Sequence, residues 1–130
     1  MTQRLHAVAL VVPDYDQAIA FYVDCVGFRL LDDIDLGGGK RWVRVAPPGD
    51  DSSSLLIAKA IGEQQRAAIG NQTGGRVGFF LATDDFARDH ARMLSAGVEF
   101  EETPRNEPYG TVAVWRDPFG NRWDLLQFKS

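Results

Sequence analysis

A chain of 130 residues is long enough to bury one real core and short for two independent ones, and its 45% apolar and 25% charged composition is that of an ordinary globular protein. No run approaches the roughly 18 apolar residues of a membrane span, the N-terminus lacks a signal-peptide layout, and a net charge of −4 with scattered basic residues speaks against a nucleic-acid surface. The expectation is a cytoplasmic protein whose partner is a small molecule, with neither nucleic acid nor membrane, and a single Cys25 excludes an internal disulfide.

Residues 4–12 carry apolar side chains on both faces and predict a strand buried on both sides, which Pro13 ends. Asp14, with Gln17 three residues on, predicts a capped helix start. Ala18, Ile19, Tyr22 and Val26 then recur at helical spacing up to Gly27, and Phe21 is placed in the core beside them. Residues 28–33 and 41–46 predict strands around Gly37-Gly38-Gly39, and 55–58 a fourth strand. Residues 61–75 have no strand character; they read as a connector in which 63–69 has room for two helical turns.

A second strand–helix pattern follows. Residues 76–83 predict a strand and Asp85 a helix N-cap; Phe86, Ala87, His90, Ala91 and Leu94 form one helical stripe ending at Gly97. Residues 98–101 and a hairpin over 110–128, with the turn Asp117-Pro118-Phe119-Gly120-Asn121, complete it. In the last strand Asp124 stands between Trp123 and Leu125, so period-2 geometry sends it to the face opposite theirs. The polar stretch 104–110 before the hairpin reads as a solvated connection.

The chain thus spells βαβββ twice, as modules 1–60 and 76–130. At an offset of 71 residues Asp14-Tyr15 meets Asp85-Phe86, and Pro47 and Gly49 meet Pro118 and Gly120; Val43 and Val45 answer Val112 and Val114 after a shift of two. Two copies are too few for a solenoid, so paired modules in one α+β domain are expected.

Val12-Pro13-Asp14-Tyr15, Ala18-Ile19-Ala20-Phe21-Tyr22 and Gly27-Phe28 in the first half, with Thr83-Asp84-Asp85-Phe86 and Asp117-Pro118-Phe119-Gly120-Asn121 in the second, resemble the vicinal-oxygen-chelate superfamily, the glyoxalase, bleomycin-resistance and extradiol-dioxygenase group. The resemblance implies two βαβββ modules curving around a cleft, commonly completed by a second subunit, hence a homodimer. It also implies that metal-dependent members place one ligand on the first and one on the last strand of each module, because an ion that chelates vicinal oxygens needs three or four converging N/O donors and open positions. Carried onto this chain, those positions are Ala7, Leu56, Gly78 and Asp124, and only Asp124 offers a donor. His6 is one residue from the first position, and one residue reverses the face of a strand.

The first reading is therefore a metal-free binder of a small organic molecule that needs no cofactor. Its ligand-binding residues would be Trp42, Arg44, Phe80, Trp115 and Asp124 on one face, with Val43, Val45, Val112 and Val114 turned toward the helices. Ala7, Ala9, Gly78 and Ala82 would leave room there. Asp124 is the polar anchor, the one catalytic candidate as a desolvated base, and Arg44 its counter-charge. The alternative is a metal-dependent lyase or dioxygenase in which a bulge turns His6 inward to join Asp124 around a divalent ion.

Overall fold

A computed structural model describes residues 1–49 and 53–130, and the chain in it forms two compact units, Met1–Ile69 and Gly70–Ser130. Each unit is α+β, a mixed sheet with its own helix.

In the first unit β1 (Ala7–Val12) leads into α1 (Tyr15–Ile19), which continues as a π-helical stretch, Ala20–Val26. Then come β2 (Arg29–Gly37), β3 (Lys40–Ala46), β4 (Ser54–Lys59) and α2 (Gly62–Ala68). The sheet order is β1-β4-β3-β2, with β1 parallel to β4 and the other pairs antiparallel. Asp14 caps α1 as its spacing predicts, its Oδ2 accepting from the Gln17 N–H at 2.9 Å. Gly27 ends the π-helical stretch at φ 96, a left-handed conformation that costs glycine nothing. Leu10, Ile57 and Val43 pair across three strands as one row, each 1% exposed or less, and Ala18, Tyr22 and Val26 bury the helical side of that core. Phe21 does not join them; it is half-buried and edge-on to the buried Tyr22 ring at 5.1 Å. Cys25 is half-buried and free.

The second unit repeats the topology. It contains β5 (Phe79–Ala82), α3 (Phe86–Ser95), β6 (Glu99–Phe100), β7 (Arg105–Glu107), β8 (Gly110–Arg116) and β9 (Arg122–Phe128), in the order β5-β9-β8-β6 with β5 parallel to β9. The stretch expected as a plain connection thus holds a short strand, β7, on β8. Its pattern Arg-Asn-Glu has no apolar alternation to betray it. Asp85 caps α3 through the Arg88 N–H, and the Gln127 amide oxygen accepts from the Phe86 N–H at 2.8 Å. The inward face of α3 is Phe86 and Met93, two turns apart, with His90 half-buried between the rings of Phe86 and Phe100; Ala87, Ala91 and Leu94 of the expected stripe are exposed.

The β8–β9 hairpin is where sequence and structure agree most closely. Its turn is held by Asp117, 4% exposed: Oδ1 accepts from the Phe119 and Asn121 N–H groups at 3.0 and 2.8 Å, and Oδ2 from Asn121 Nδ2 at 2.7 Å. Gly70 lies against this turn so closely that a Cβ there would stand 1.9 Å from the Phe119 carbonyl oxygen. Among the described residues no helix is long and apolar enough to cross a membrane.

Candidate functional site

Alternation along β3 sends Val43 and Val45 into the core and leaves Trp42 and Arg44 on the opposite face. The β1–β4–β3 register puts Ala9 and Leu56 in the row of Arg44 and Ala7, paired with Ser54, one row away on the same face, and β2 sets Asp32 directly across from Arg44. Asp32 organises this face. Its Oδ2 accepts from Arg44 Nε at 2.5 Å and from the Trp42 indole N–H at 3.1 Å, while Arg44 Nη1 donates to Ser54 Oγ at 3.2 Å. The Arg44 guanidinium holds the Asp32 carboxyl below the usual carboxylate range; burial opposes this, and the Trp42 hydrogen bond adds to it. Trp42 is thereby fixed in orientation, and Arg44 is neutralised within its own unit by Asp32 rather than reserved for Asp124. Asp32 was not legible as a site residue, because its pairing depends on the β2–β3 register and that register shifts between Leu30 and Asp32.

Next to this face the unit contains a cleft of about 600 Å³. Trp42, Leu56 and Ala58 line it from the sheet, Leu36 and Gly38 from the β2–β3 turn, and Ile61 and Gln65 from the α2 end. That volume is of the size that takes a drug-like molecule.

In the second unit Asp124 pairs with Phe80 on one side and Val114 on the other, so these three share a face, as do Leu126 and Val112 one row away. Phe80 is 61% exposed there. Oδ1 of Asp124 is buried and has no hydrogen-bond partner among the described residues. Burial pushes its carboxyl above the ordinary value; the Arg105 charge pulls the other way, Glu102 adds to the rise and Arg122 opposes it. Arg105 brings little neutralisation, because it is already bonded to Glu102 at 2.8 Å and Glu107 at 2.7 Å.

A carboxyl titrating higher in the folded than in the unfolded chain binds its proton more tightly when folded. Its burial therefore costs stability above the folded pKa, and the cost is relieved as pH falls through that value toward the unfolded one. Asp124→Asn is expected to stabilise the protein at neutral pH by up to about 1 kcal/mol, partial exposure screening the rest, and the gain should vanish in acid. Urea midpoints from pH 4 to 8 measure this; destabilisation at neutral pH would mean that the carboxylate has a partner.

Trp115, expected beside Asp124, lies on the other face. It pairs with Trp123 and stacks on it at 4.9 Å and 16°, whereas Asp124 pairs with Val114. That row faces α3: Phe100, paired with Trp115, meets His90, and Gln127, two along from Leu125, caps Phe86. Trp115 is fully buried core, and Val112 and Val114 belong to the Asp124 face. The offset of 71 aligns Trp115 with Arg44, but the modules differ by an odd number of residues along this strand, and an odd slip reverses every side chain. Since Val112, Ala113, Val114 and Trp115 are all buried, alternation gave no warning.

The metal positions implied by the resemblance do not fit an ion. Ala7 and Leu56 offer hydrocarbon. At Gly78 a Cβ would already stand 2.2 Å from Thr73 Cγ2, so a ligand side chain has no room, and the space expected from that glycine is filled by Thr73, whose hydroxyl is tied to the Arg76 carbonyl at 2.8 Å. His6 precedes β1 and is exposed, its carbonyl accepting from the N–H and hydroxyl of Ser54. Among the described residues no three of His, Cys, Asp and Glu come together as a metal site would require.

The repeated module with its parallel first and last strands defines the class, and the sequence agrees with it. Residues 4–125 match the family model of the Glyoxalase/Bleomycin resistance protein/Dioxygenase superfamily, and the chain belongs to that family. An uncharacterized protein from Shewanella frigidimarina is 52% identical over 128 residues, covering 98% of this chain and 95% of its own length. Among solved structures, UcmS2 superposes with a TM-score of 0.83 at 30% identity, covering 97% of this chain and 98% of the other. TnmS3, an antibiotic-binding protein from Streptomyces sp. CB03234, does so with a TM-score of 0.78 at 34% identity and 98% coverage of both chains.

Proposed function

We propose that this protein binds a small organic molecule of antibiotic-like size, without a metal and without chemical conversion, as a cytoplasmic homodimer. The observation that carries the reading is Trp42, hydrogen-bonded by Asp32 and presented in the wall of a 600 Å³ cleft otherwise lined largely by aliphatic side chains and glycine. A large ring fixed before binding loses little entropy on contact and offers one aromatic face to a planar ligand. The likeness to TnmS3 supports an organic ligand of this kind, and exposed Phe80 and Ile34 are compatible with a covering subunit.

Isothermal titration calorimetry against a panel of polycyclic aromatic compounds, antibiotics among them, tests the reading. Saturable binding of one ligand per chain is expected, and Trp42→Ala should weaken it about 10- to 100-fold, the loss of roughly 1.5–3 kcal/mol of aromatic burial. Equal affinity in the variant would remove Trp42 from the site, and multi-angle light scattering reads the subunit count.

A further inference from the structure

The cleft beside Trp42 is lined from both faces of its sheet. Trp42, Leu56 and Ala58 lie on the face of Arg44, whereas Arg41, Ile57 and Lys59 alternate onto the face of Val43, yet all of them border the same space. Two faces open into one cleft only where neighbouring strands part. The β3–β4 ladder ends at the Val43–Ile57 pair, although β3 begins at Lys40 and β4 runs on to Lys59. Tyr15, the first residue of α1, stands at the parting: the Arg41 N–H, which a continued ladder would give to the Lys59 carbonyl, donates instead to the Tyr15 hydroxyl at 3.1 Å. On the other strand the Ala60 N–H goes to the Val12 carbonyl at 2.9 Å, so the N–H and C=O of Lys59 turn the opposite way, toward the seam. Tyr15 is 7% exposed and borders the cleft. Its oxygen accepts from Arg41, and its own hydrogen has no acceptor among the described residues. A phenol hydroxyl both donates and accepts, and a buried donor left without a partner is costly.

We infer that the ligand is a planar ring compound bearing a carbonyl oxygen, whose ring lies on Trp42 and whose carbonyl enters the seam between β3 and β4 to accept from the Tyr15 hydroxyl. Tyr15 is thereby the specificity-determining residue of the cleft. A site that holds a buried donor discriminates against an analogue lacking the acceptor, because binding then seals the donor from water with nothing in exchange. The backbone edge of Lys59 makes the opposite wall of the seam polar too, so the oxygen and the ring of the ligand meet different surroundings, which fixes its orientation. This rests on the binding reading above and adds the functional group by which the ligand is recognised.

The test uses the full chain and two matched probes, acetylnaphthalene and ethylnaphthalene, which differ in the carbonyl oxygen, titrated by calorimetry into wild type, Tyr15→Phe and Trp42→Ala. Tyr15→Phe should weaken binding of the ketone about tenfold and leave that of the hydrocarbon unchanged. The ketone, isotope-labelled at its carbonyl carbon and bound to wild type, should show its infrared stretch at the lowered frequency of a hydrogen-bonded carbonyl, returning in Tyr15→Phe to the frequency seen in an apolar solvent. Equal affinity of the ketone for wild type and Tyr15→Phe, or a carbonyl stretch that is not lowered in wild type, would overturn the inference and leave the apolar cleft standing. Should the variant weaken both probes alike, its seam has closed, as pairing of Arg41 with Lys59 would do, and the stretch in wild type decides. No Trp42-dependent binding of either probe would overturn both readings.

Discussion

Trp115→Ala is expected to cost about 3–5 kcal/mol, a large share of the stability of a domain of this size. The ring is 0% exposed, stacks on Trp123 at 4.9 Å, and Trp123 in turn stacks on Phe79 at 4.9 Å, so its loss opens a cavity at one end of a three-ring column beneath α3 and uncovers the central ring. Dense packing leaves neighbours little freedom to collapse into that space. Urea unfolding followed by circular dichroism measures the change; should the alanine variant not fold, Trp115→Phe, which keeps a stacked ring, is expected to lose about half as much. A loss under about 1 kcal/mol with weakened ligand binding would instead return Trp115 to the open face.

Asp117→Ala should cost about 2–4 kcal/mol without removing any apolar contact of note. One buried carboxylate satisfies two backbone N–H groups and the Asn121 side chain, and the turn it closes joins β8 to β9, the strand that carries Asp124. Without it three donors lose their acceptor inside a turn where Gly70 leaves no slack. Asp117→Asn retains the Oδ1 contacts, so its loss should be intermediate; hydrogen exchange at the Phe119 and Asn121 amides separates local opening of the turn from global unfolding. Unchanged exchange in the alanine variant would show that the backbone pairs of the turn suffice.

What the sequence determined by itself is local. The Asp14 and Asp85 caps, the Gly27 stop, the Asp117 turn and the period-2 apolar runs each depend on neighbours a few residues away, and together they spell βαβββ twice. The same alternation put Val43 and Val45 inside and Trp42 and Arg44 outside, because one side of β3 is buried and the other is not. Tertiary structure alone decided what depends on pairing. The face of Trp115 followed from a register in which both sides of β8 are buried. The partner of Arg44 followed from the irregular β2–β3 ladder, and the closure of Gly78 from Thr73, which leaves the strand pattern altogether. Long-range pairing of this kind is set by the fit of whole faces, which no window of neighbouring residues contains.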